Sequence, residues 1–144
     1  MTLVLALLTA AVNGAVGGFG AWRWYRVEPA PRFWPALRAA QAVAVLFAVY
    51  ASALLILGDG PDADLFLLYA ALPVGVNVVA EQLRIASAET VLDARGLENA
   101  AALRDRSDAE QRSVVTQILR RELGVMAAAA LVVAFLALRA AGVS

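Results

Sequence analysis

The chain has 144 residues, 62% of them hydrophobic, and its twelve basic and twelve acidic residues leave no net charge. That is more apolar than the roughly half-apolar composition of a water-soluble domain, and the charge balance gives no bulk attraction to nucleic acid. Cys and His are absent and every basic residue is Arg, which excludes thiolate and imidazole catalysis, sulfur-ligated metals and Schiff-base chemistry. No enzyme activity, cofactor or metal is expected, and the Ala-rich, Lys-free composition points to a bacterial source.

Residues 3–21 are an uncharged apolar run, close to the roughly 20 helical residues that span a hydrocarbon core. Nothing basic precedes it, whereas Arg23 and Arg26 follow it. A signal peptide has the opposite arrangement, so a retained spanning helix with its start outside is expected. Ala6, Ala10, Gly14 and Gly18 recur at spacings of four, with Gly17 and Gly20 beside them. Small residues let helix backbones approach in lipid, which makes Ala10, Gly14, Gly17 and Gly18 a candidate packing face, within the chain or between copies. A phosphate-binding reading of these glycines lacks the preceding strand it needs.

Trp22, Trp24 and Tyr25 interleave with Arg23 and Arg26, and Arg32, Phe33 and Trp34 then sit among Pro29, Pro31 and Pro35. The prolines predict an extended elbow that ends the helix. Aromatic residues with arginine are characteristic of a membrane interface. Trp22, Arg23, Trp24, Arg26, Arg32, Trp34 and Arg38 are therefore candidate anchors, and the arginines candidate partners of anionic lipid headgroups. Residues 36–57 form the second run, with Arg38 able to reach the interface.

Residues 58–62 read as a turn, with Gly58 as helix C-terminal cap and Asp62 as the next N-cap. Asp59, Asp62 and Asp64 offer oxygen ligands for a divalent cation, but two helix ends explain them more cheaply. Residues 65–85 are the third run. Pro73 inside it removes a backbone bond to Tyr69 and predicts a kink, and Gly75 and Asn77 follow. Counting about 1.5 Å per residue, Asn13 and Asn77 lie at similar depth. An amide–amide hydrogen bond between them, worth about 0.6–2 kcal/mol in a membrane, is expected. Asn13, Pro73, Gly75 and Asn77 are also the candidate lining of a pathway.

Between residues 81 and 123 lie seven of the twelve arginines and eight of the twelve acidic residues. Charged residues alternate with Leu83, Val91, Leu92, Leu97 and Leu103, which predicts that the third helix runs on beyond the bilayer until a break at Gly96. Ser107 and Glu110 have capping-box spacing, so the fourth helix should start near Asp108. Val114, Val115, Ile118 and Leu119 give it an apolar face. Glu89 and Asp93 stand one helical turn apart, and a solvated face accounts for them better than acid–base or metal chemistry. The fourth run covers residues 123–142, with Arg120, Arg121 and Arg139 snorkelling to the two surfaces.

The expected fold is thus an all-α integral membrane four-helix bundle forming a single domain over residues 1–144. Its spans are residues 3–21, 36–57, 65–85 and 123–142, with residues 86–122 as a helical hairpin. Nine of the twelve arginines fall in the first and third connectors, and Arg38 and Arg84 lie at the adjoining ends of the second and third spans, so the positive-inside rule puts both ends of the chain outside and the hairpin in the cytoplasm. The expected function is a non-enzymatic accessory or scaffolding subunit of a bacterial inner-membrane assembly. Its partners would be membrane lipids and either copies of itself or other membrane subunits. The alternative is an oligomeric channel or transporter with its pathway near Asn13 and Asn77.

Overall fold

The computed structural model describes residues 1–60 and 64–143. It contains helices α1 (Thr2–Tyr25), α2 (Phe33–Leu57), α3 (Asp64–Ala94) and α4 (Asp108–Ala141), with a short 3₁₀ segment, Ala100–Asp105, between the last two. All four α-helices are long and apolar enough to cross a membrane. The 24 residues of α1 and the 34 of α4 correspond to about 36 and 51 Å of helix, so α4 overruns both α1 and a hydrocarbon core of about 30 Å.

Local chemistry sets the helix ends. Gly58 stops α2 in the left-handed conformation at φ 77°, and the Asp59 amide donates back to the Leu54 carbonyl at 3.0 Å, the bond that a C-terminal glycine makes accessible. Gly96, at φ 70°, ends α3 in the same way, with the Leu97 amide 3.0 Å from the Leu92 carbonyl. The Ser107 hydroxyl accepts the Glu110 amide at 3.3 Å and opens α4. The reciprocal half of the expected capping box does not form, because the Glu110 carboxylate pairs with Arg106 instead. The elbow is shorter than expected: α2 begins at Phe33 and carries Pro35 in its first turn, where the missing N–H has no helical partner to lose. Asp62, the expected N-cap and a member of the acidic trio, lies outside the described residues.

The helices form a ring. Helix α4 packs on α1 and α3, and α2 packs on the same two from the other side. Along the α1–α4 seam, Gly14 faces Ala134, Gly17 faces Leu131, Gly20 faces Ala127 and Trp24 faces Gly124. Numbers rise on one helix as they fall on the other, so the pair is antiparallel. A Cβ on Gly17 would lie 2.9 Å from the Leu131 backbone nitrogen, and one on Gly20 would lie 2.9 Å from the Ala127 Cβ. These glycines are what allows the two backbones to approach. Ala10 is buried in the bundle as expected. Gly18 faces outward with nothing within 4 Å of a Cβ, so it takes no part in the seam. The seam of Gly14, Gly17, Gly20 and Trp24 follows the turn of the helix, whereas a strict spacing of four drifts off it.

The core is rich in alanine, and many large apolar side chains lie on the outer face. Ala40, Ala44, Ala70, Ala137 and Ala140 are fully buried, whereas Leu46, Ile56, Val79 and Phe135 are more than half exposed. Phe47 and Phe66 meet edge to face, 6.1 Å between centroids, and join α2 to α3 near the α2–α3 connector. Beyond the opposite end of the ring, Val91, Leu97 and Val114 bury one another, flanked by Leu103 and Ile118. This small core holds the α3 and α4 extensions together.

Candidate functional site

The polar groups inside the bundle come first, because they were the expected pathway. Asn13 is completely buried. Its amide nitrogen donates to the Thr9 carbonyl at 3.0 Å and to the Ala40 carbonyl of α2 at 3.3 Å. The expected bond to Asn77 is not formed, because α1 and α3 sit diagonally across the ring and Asn13 meets the backbone of its neighbour instead. The Asn13 Oδ1 and the Asn77 Nδ2 are both buried without a hydrogen-bond partner. Pro73 is buried within a continuous α3, and Gly75 is exposed on its outer side. The four residues therefore do not share one surface.

The arginine-rich end holds more. Here the α1–α2 connector, the start of α2, the middle of α3 and the middle of α4 come together. The Glu81 carboxylate on α3 receives Arg38 and Gln41 from α2 and Arg84 from its own helix. Arg84 also approaches Glu122 on α4 at 3.8 Å and lies over the Trp34 ring, 5.9 Å from its centroid. Two cations and two carboxylates thus cross-link three helices where the apolar spans end. Glu122, just outside the fourth span, has a side chain only 14% exposed. Burial pushes its carboxyl above the usual range, with Arg84 opposing and Glu81 reinforcing the shift. This network was not legible in sequence, since Glu81 and Arg84 read only as charged residues where the third helix runs on beyond the bilayer; the only signal was Arg38 and Gln41 at matching depth on the neighbouring helix.

Beside the network, between the α1–α2 connector and α4, is a cavity of about 420 Å³. Trp24, Val27, Trp34, Leu119 and Leu123 supply apolar walls, and Arg23, Glu28, Thr116 and Arg120 supply polar groups. The Arg120 guanidinium stacks on the Trp24 ring at 5.0 Å. Arg23 pairs with Glu28, which also receives Arg26 at 3.3 Å, and the Arg23 Nε is buried without a partner. The wall at Val27 is strained. The Glu28 amide closes the end of α1 on the Arg23 carbonyl at 3.1 Å, and this holds Val27 at φ 53°, a conformation that β-branched residues rarely adopt.

The expected anchors divide among these features. Arg23, Trp24 and Trp34 line the cavity. Arg38 belongs to the Glu81 network. Trp22 is half exposed beneath the guanidiniums of Arg23 and Arg26, 5.6 and 5.9 Å from its ring. Arg32 is exposed at the elbow. Leu119, Arg120 and Thr116, which sequence reading left on the hairpin, complete the cavity. Glu89 and Asp93 are exposed, and among the described residues no group of three or more acidic side chains is placed to hold a metal. No protein-family model, no curated protein and no solved structure matches this chain.

Proposed function

We propose that the protein is a multi-pass inner-membrane protein of bacterial type that acts as a non-enzymatic accessory or scaffolding subunit. Both ends of the chain lie outside and the α3–α4 hairpin lies in the cytoplasm. The observation that carries this reading is the large apolar side chains on the outer face around a core rich in alanine, together with arginines gathered at one end. Lipid favours such an outer face, and small residues favour close helix packing within it. Phe47, Met126 and Val133 are each essentially inaccessible, which supports a packed strut over a conduit through a single copy. The partners in this reading are anionic lipids and either further copies or other membrane subunits, met by the outer faces and the hairpin.

The unpartnered amide nitrogen of Asn77 favours one second reading, an oligomeric channel or transporter whose pathway runs near Asn13 and Asn77. Two experiments separate the readings. Native gels of solubilised membranes should place the chain in a larger assembly that is lost when residues 86–121 are trimmed. Purified protein in liposomes should pass no ions. A flux that drops on Asn77→Ala would overturn the scaffolding reading.

A further inference from the structure

The geometry points to the cavity beside Trp24 as a binding site for the phosphodiester headgroup of one anionic phospholipid, with Arg120 and Arg23 as cationic donors. This deepens the membrane reading above and rests on it. Three observations converge. First, the charges lining the cavity are Arg23 and Arg120 against Glu28, one net positive charge, complementary to a single phosphodiester. Second, Arg120 is held over Trp24 with no carboxylate partner among the described residues, and the Arg23 Nε is buried and unpartnered. Both leave donors free in a setting where charge-assisted bonds to phosphate are strong. Third, the cavity lies just beyond the apolar run of α1, which ends at Ala21, and at the start of that of α4, at Leu123, the level at which headgroups lie. Its otherwise apolar walls suit the glycerol and first acyl carbons of the same lipid, and its volume of about 420 Å³ accommodates the headgroup end alone. The arginines first expected to bind lipid are mostly committed elsewhere, Arg26 to Glu28 and Arg38 to Glu81. The selective cation therefore comes from α4.

The test uses the full chain in nanodiscs, with Trp22→Phe in the background so that Trp24 and Trp34 alone report. Tryptophan quenching by brominated phosphatidylglycerol is compared with quenching by brominated phosphatidylcholine. One well-placed arginine sets the expected preference at about fivefold for the anionic lipid. That preference should fall to near unity in Arg120→Gln, and in Thr116→Phe, which fills the cavity while leaving every charge in place and adding no tryptophan. It should persist in Arg104→Gln on the distant 3₁₀ segment. Should either disabling variant fail to fold by circular dichroism, Arg120→Ala and Leu119→Phe replace them. Equal quenching by the two lipids would overturn the proposal. So would retention of the preference in Thr116→Phe, or its loss in Arg104→Gln, which would mark a diffuse surface field. Displacement of the lipid by inorganic phosphate in millimolar excess would assign the cavity to a soluble anion instead. The assay contains no partner protein, so its failure leaves the scaffolding reading standing, and a failed assembly experiment leaves this one.

Discussion

Adding one methyl group at each of two adjacent glycines should have opposite effects. In Gly17→Ala the new Cβ would lie 2.9 Å from the Leu131 backbone nitrogen and 2.8 Å from the Leu131 Cγ. A backbone atom cannot rotate away, so α1 and α4 must separate along their seam. Overpacking of this kind costs about 1–3 kcal/mol. Replacing a helical glycine with alanine returns about 0.5–1 kcal/mol of backbone entropy. In Gly18→Ala the methyl group meets open space, so only the favourable term remains. The entropy gain cancels between the two, and their difference of about 1–3 kcal/mol isolates the cost of separating the helices. Gly14→Ala provides a graded control, because its Cβ would rest 3.7 Å from that of Ala134, an ordinary contact. Equilibrium unfolding of the purified protein in mixed micelles, followed by circular dichroism, measures all three. The expected order of stability is Gly18→Ala, then Gly14→Ala, then Gly17→Ala. Equal effects at positions 17 and 18 would refute the α1–α4 seam as described.

Three further outcomes are expected. Val27→Gly should stabilise the fold by about 0.5–1 kcal/mol, since relief of about 1–2 kcal/mol of left-handed strain outweighs the added chain entropy of glycine; an unchanged or lower unfolding midpoint would contradict the strain. Ser107→Ala should cost about 1 kcal/mol at the start of α4, visible as faster amide exchange in residues 108–111 with the spans unaffected. Glu122, whose carboxyl is raised mainly by burial, contributes stability that is fully present at low pH, below its unfolded value, and is lost as pH rises through the folded value. Glu122→Gln should therefore flatten stability in that window and leave the protein no weaker at neutral pH, whereas a large loss at neutral pH would make the Arg84 contact dominant.

Features written in local chemistry were legible in the sequence. Gly58, Gly96 and Ser107 terminate or start helices where their backbone and side-chain preferences require, and the apolar runs match four helices long enough to span a membrane. Features that depend on which helices become neighbours were not. A stripe at spacings of four selected Gly18, but the surface of α1 that α4 covers winds through Gly14, Gly17 and Gly20. Matching depth suggested that Asn13 meets Asn77, yet depth cannot distinguish adjacent from diagonal helices, and the Ala40 carbonyl took the bond. The cavity needed Trp24 and Arg120 side by side, nearly a hundred positions apart along the chain. Each residue showed an interfacial preference alone, but neither revealed the other.

The account rests on four crossings that leave both arginine-rich connectors on one side. The chain has no cysteine, so single substitutions report without background. Asp59→Cys and Ala101→Cys should be treated separately with a membrane-impermeant maleimide in right-side-out vesicles. The account predicts that Asp59→Cys labels at once and that Ala101→Cys labels only after the membrane is opened. Labelling of Ala101→Cys in sealed vesicles would contradict it.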